Sequence, residues 1–138
     1  MKKLLSAVLV LGAVLCLAGC GNKPSTLVCS RKVGSYTVQL TSNFTGNKLQ
    51  SMGLVYDMDY SSYSDTLVES LSKQDFCKSV STAMSQYTLV NCAQKVENKH
   101  VIITSGIDMS KFSEAEKTGS PAATKEAMEK QLYTCELK

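Results

Sequence analysis

Residues 35–60 read SYTVQLTSNFTGNKLQSMGLVYDMDY, and two alternations within them decide the fold. In the first half Tyr36, Val38, Leu40, Ser42 and Phe44 alternate with Ser35, Thr37, Gln39, Thr41 and Asn43. In the second half Met52, Leu54, Tyr56, Met58 and Tyr60 alternate with Ser51, Gly53, Val55, Asp57 and Asp59. A period of two turns one set toward a core and the other toward water, as in a half-buried strand. Between the halves, Thr45-Gly46-Asn47-Lys48 supplies a glycine and an asparagine, residues that readily take positive φ in a hairpin turn. The stretch therefore predicts two paired antiparallel strands.

Working outward, residues 26–32 form a shorter strand that turns through Val33-Gly34, completing a three-stranded meander. Beyond residue 64 the period changes. Leu67, Leu71, Cys77, Val80, Met84 and Tyr87 keep mostly three- or four-residue spacing, interrupted at Gln74, and Ser64 or Asp65 can cap the start. This predicts one long helix over 65–86. Residues 88–96 and 99–107 read as two further strands around Glu97-Asn98, with Val101, Ile103 and Ile107 on the inner face. Residues 108–120 are polar and loop-like, with a helical turn at 113–117. Ser120 and Pro121 then suit the N-cap and first turn of a second helix reaching Leu132, and residues 133–138 close the chain. The expected class is α+β: an antiparallel sheet, in the order β-β-β-α-β-β-α, with the long helix and the C-terminal helix packed on one face.

The chain opens Met1-Lys2-Lys3 and continues as an apolar run from Leu4 to Leu17, shorter than the roughly 20 residues a membrane-spanning helix needs. A basic start, an apolar stretch and small residues before a cleavage point mark a secretory signal peptide, expected over residues 1–19. Its end, Leu17-Ala18-Gly19-Cys20, resembles the lipobox of bacterial lipoproteins. That resemblance implies a diacylglyceryl group on the Cys20 sulfur, cleavage between Gly19 and Cys20, and anchoring to the extracytoplasmic face of the cell membrane. Two or three acyl chains on one residue anchor stably, whereas one is marginal. The plainer alternative is an ordinary signal peptide that a cysteine happens to follow. Residues 20–25 then form a lipidated terminus and short polar tether, and residues 26–138 a single domain.

Of 15 basic residues in the whole chain, Lys2 and Lys3 leave with the signal, so 13 face 12 acids. Near-neutrality and the lack of a Lys/Arg cluster remove the electrostatic footprint of nucleic-acid binding. Of the six cysteines, Cys16 also leaves and Cys20 becomes the anchor, which leaves Cys29, Cys77, Cys92 and Cys135. Outside the cytoplasm an even number in a small domain reads as two disulfides, with three connectivities open. Cys77 shares a helical stripe with Leu71, Val80 and Met84, while Cys92 shares its strand face with Val90, so these two can meet as the chain turns back. Cys29–Cys135 would then clip the last segment to the first strand. With no CxxC pair, redox-motif and zinc-knuckle readings lose their main support.

A lipobox, a short tether, Thr26-Leu27-Val28-Cys29 in the first strand, a Gly-x-Lys hairpin at Gly46, a cysteine-bearing helix and a terminal Tyr133-Thr134-Cys135-Glu136 together resemble the small bacterial YehR-like lipoproteins of unknown function. The likeness covers most of the chain after Cys20. It implies a location and an architecture, but no reaction.

Candidate chemistry is sparse. Asp57, Asp59, Ser61 and Asp65 match positions 1, 3, 5 and 9 of a calcium-binding EF-hand loop, but Ser62 stands where that loop needs glycine and Val68 where it needs glutamate. Asp57 and Asp59 more simply make the wet face of the third strand, with Asp65 at the start of the helix. A catalytic carboxylate pair would need one of them desolvated. His100, the only histidine, sits at a hairpin mouth and reads as a surface residue, with no nucleophile-elbow motif to work beside it. Tyr36, Tyr56, Tyr60, Tyr63 and Tyr87 gather near the strand-to-helix junction, either as core packing or as the rim of a groove. No catalytic motif and no cofactor signature is present. The sequence thus predicts a lipid-anchored, non-catalytic binding or interaction module of the cell envelope, with an envelope protein or small ligand as partner. The alternative is a small extracytoplasmic enzyme or a weak divalent-cation binder using Asp57, Asp59 and Asp65.

Overall fold

The computed structural model of the protein describes residues 22–138. The expected signal peptide and the lipidation at Cys20 lie outside the described residues. Six strands form one antiparallel sheet: β1 (Pro24–Val33), β2 (Tyr36–Thr45), β3 (Lys48–Asp59), β4 (Leu89–Glu97), β5 (His100–Ile107) and β6 (Thr134–Leu137). Their order across the sheet is β4-β5-β3-β2-β1-β6. Among the described residues four short α-helices accompany them: α1 (Asp65–Ser72), α2 (Phe76–Ala83), α3 (Glu114–Lys117) and α4 (Pro121–Lys130). No helix among the described residues is long and apolar enough to cross a membrane.

Tight turns set the hairpins. Gly34 and Gly46 both sit at φ +59° between β1, β2 and β3, a conformation glycine enters without steric cost. Between β4 and β5, Asn98 and Lys99 take φ +51° and +61°. Two left-handed residues in a row match the right-handed twist of the strands they join.

The expected order β-β-β-α-β-β-α with one long helix is overturned. The segment expected as a single helix is two eight-residue helices, α1 and α2, separated at Lys73-Gln74-Asp75. Asp75 leaves helical geometry and caps α2, its carboxylate accepting the Lys78 N–H at 3.0 Å. The Gln94 side chain, across on β4, holds this break. Its oxygen accepts the Phe76 N–H at 3.0 Å, and its amide donates to the carbonyls of Ser72 and Gln74 at 3.1 and 3.0 Å. These are backbone groups that a continuous helix would have paired internally. A sixth strand, β6, also follows the last helix and pairs with β1. We expect Gln94→Ala to cost about 1–3 kcal/mol, because it strands partly buried backbone groups. A urea titration checks this; a midpoint equal to wild type would mean that water replaces the amide without loss.

Strand register shows where the core lies. Cys135, Cys29, Leu40, Leu54 and Ser105 stand side by side across five strands, and Val38, Tyr56 and Ile103 form the next row. Val80 of α2 and Met128 of α4 pack over this face. The opposite face carries the rows Val28–Thr41–Gly53–Gly106–Val90 and Ser30–Gln39–Val55–Thr104–Ala93, and none of these residues is buried. Among the described residues the sheet is therefore covered on one side and open on the other.

Two disulfides brace it, Cys29–Cys135 between neighbouring strands and Cys77–Cys92 between α2 and β4. The expected shared face of Cys92 and Val90 is corrected. A bulge with Asn91 at φ +54° shifts the alternation, so Val90 lies on the open face over Gly106 while Cys92 turns toward α2. A Cβ on Gly106 would come within 3.1 Å of a Val90 methyl, close enough that Val90 would have to shift to admit it.

Candidate functional site

Asp57, Asp59 and His100, distant in sequence, meet on the open face. Asp59 and His100 are register partners on β3 and β5, and Glu97 of β4 pairs with His100 from the other side. The His100 Nδ1–H donates to Asp57 Oδ1 at 2.7 Å, since an ionised carboxylate can only accept. Its Nε2 lies 3.6 Å from Asp59 Oδ1. The hydrogen bond that His100 donates to Asp57, with the charge of both carboxylates, raises the imidazole above its ordinary pKa. Hydrogen bonds from the Ser61 side chain and backbone hold Asp59 below the usual carboxylate range. Side-chain exposures of 33% for His100, 38% for Asp57 and 42% for Asp59 leave all three wet. A general acid needs a desolvated carboxyl kept protonated, whereas Asp59 is wet and held toward its ionised form.

The sign of the pH effect follows. A histidine whose pKa is higher folded than unfolded adds stability that is complete below its ordinary value. That contribution is lost as pH rises through the higher folded value. We expect the NMR titration midpoint of His100 to lie above 6.5. Asp57→Asn should bring it down toward that value; an unmoved midpoint would assign the shift to Asp59.

Asp65 does not join the cluster. It occupies the first turn of α1, which Ser64 caps, and pairs at 2.9 Å with Lys99, whose ammonium also donates to the Tyr63 carbonyl at 2.9 Å. The spacing that resembled a calcium loop is thus spread over a strand end, a turn around Asp59 and a helix start. Among the described residues, no group of three or more His, Cys, Asp or Glu side chains is placed to hold a metal ion.

The tyrosines divide into separate contacts. Tyr36 stacks on Tyr56 at 5.2 Å on the covered face, and burial beside that phenol pushes Tyr56 up to about 12. Tyr60 meets Tyr63 edge to face at 5.7 Å. Tyr87 leaves the expected junction and stacks on Phe112 at 6.0 Å.

A cavity of about 150 Å³ lies between the covered face and the segment around α3 and α4. Leu40, Phe44 and Met52 from the sheet and Met128 from α4 give it apolar walls, and Glu116, Lys117 and Thr118 edge it. Ser113 and Glu116 form a reciprocal capping box on α3, and the Gly119 N–H donates to the Asn47 carbonyl at 2.8 Å, which pins this segment to the β2–β3 turn. The sequence of residues 108–120 reads as a loop with a helical turn at 113–117, which the structure has as α3, and nothing in that pattern reveals the cavity. The one available signal was Ser42, a polar residue within the apolar set of β2.

The chain matches no protein-family model, no curated protein and no solved structure.

Proposed function

We propose that this protein is a lipid-anchored, non-catalytic binding module on the extracytoplasmic face of the cell membrane, and that an envelope protein docks on the open face of its sheet. The observation that carries this is the one-sided sheet. A face of Thr, Ser, Gln, Val and glycine, uncharged in its middle rows from β1 to β4 with Glu136 at the β6 edge, is free, among the described residues, of the helices that cover the other side. Interface cores are likewise poor in charge. Two disulfides fit an oxidising compartment, and the lipobox-like Leu17-Ala18-Gly19-Cys20 and the YehR-like features point the same way. Strand direction adds an orientation: β1 starts at Pro24, and the Asp57–His100 cluster lies at the other end of a ten-residue strand pair. At about 3.4 Å per residue that end stands roughly 30 Å from the tether.

A photocrosslinking residue at Val55 in the lipidated protein, activated in intact cells, tests the proposal. One discrete adduct, lost when the crosslinker is moved to a residue of α1, is the expected result. Free monomer alone under several growth conditions would overturn it.

A further inference from the structure

We infer that the cavity beneath α3 and α4 is a binding site for a small neutral molecule: an apolar body of about six carbons carrying one hydroxyl or carbonyl. Size comes first. A cavity of about 150 Å³ with apolar walls matches the volume known to admit a single benzene ring.

Ser42 sets the polar requirement. It lies in the row Leu27–Ser42–Met52–Ile107, where each other member is apolar, and it is 6% exposed. It lines the cavity, and its hydroxyl is not sealed off: among the described residues no buried side-chain nitrogen or oxygen is left without a partner. The other buried serine of the sheet behaves differently. Ser105 donates to the carbonyls of Val90 and Gly106 at 3.0 and 2.8 Å. A hydroxyl that opens on a cavity can exchange water for a ligand's polar atom, and so marks where that atom belongs.

The charges at the edge argue for neutrality. Lys117 is paired with Glu114 at 3.0 Å, and Glu116 accepts the Ser113 N–H at 2.6 Å. Both charged residues that line the cavity are thus engaged already, so an ionised ligand would be desolvated without a free counter-charge. This site lies on the covered face and stands independently of any partner on the open one.

Phenol and toluene test it, being nearly the same size and differing in a hydroxyl against a methyl. Each is titrated into a chain starting at residue 20 with Cys20→Ser, so that no detergent competes, while the methyl signals of Leu49, Met52 and Met128 are followed by NMR. Both probes should shift these signals, with contacts from probe protons to the Met52 and Met128 methyls. Phenol should bind about fivefold more tightly, the increment expected of one hydrogen bond. Ser42→Ala should abolish that preference and leave toluene binding intact. If neither probe moves these methyls up to its solubility limit, or if phenol keeps its advantage in Ser42→Ala, the inference fails.

Discussion

Removing the Cys29–Cys135 bridge by Cys29→Ala and Cys135→Ala together is expected to cost about 4–5 kcal/mol. The bridged residues are 106 apart in sequence, and in the chain-entropy model closing so long a loop restricts the unfolded chain strongly. Both cysteines are 2% exposed, so the deletion also leaves a small void between β1 and β6. A domain of this length holds about 5–15 kcal/mol in total, so the variant should melt roughly 15–20 °C lower and be partly unfolded at 37 °C. The Cys77–Cys92 bridge spans 15 residues and should cost less, about 3 kcal/mol. Thermal melts of the two double variants compare them directly. A larger loss from the short bridge would mean that it holds α2 in place as well as restricting the unfolded chain.

Leu54→Ala should cost about 3–5 kcal/mol, the upper part of the range for buried leucines. Leu54 is 1% exposed on β3, between Leu40 of β2 and Ser105 of β5. Both flanking strands are fixed by their own hydrogen-bond ladders, so the void has little freedom to close. The urea midpoint should fall with an unchanged slope, as for a loss of stability without a change in surface exposed on unfolding. One residue along the same strand, Val55 faces the open side, and Val55→Ala should stay within about 1 kcal/mol. Equal losses at the two positions would mean that the face taken as open is covered in solution.

The strands at residues 36–60 were readable because their apolar residues recur every second position for two whole strand lengths, and a glycine marks the turn between them. The cysteine pairs were readable too, since each joins segments that the expected elements bring close. What sequence hid was long-range. The break between α1 and α2 depends on a Gln94 amide 18 residues beyond Phe76, and Asp75 alone looked like one more polar position on a helix. Strand β6 has four residues, too few for any period to show, and it owes its place to backbone pairing with β1. The Asn91 bulge inverts the facing of Val90 without altering the pattern of residue types around it. His100 looked solitary because its carboxylate partner lies 43 residues away. Ser42 was visible as the polar exception in an apolar set, yet only the packing of α4 shows that its hydroxyl opens on a cavity.

Pairing of the first strand with the last has a mechanical consequence. Thr26 and Lys138 exchange two backbone hydrogen bonds at 2.9 and 2.8 Å, and three residues inward the Cys29–Cys135 bond closes the chain into a covalent ring. Tension applied between the ends of the described chain runs straight through that bond and bypasses the sheet. Only residues 22–28 and 136–138 can be drawn out, while the domain inside the ring carries no load. Cutting the bond frees the chain between two cysteines 106 positions apart, about 360 Å of extensible length. The protein is thus built as a knot that holds under pull and slips when reduced.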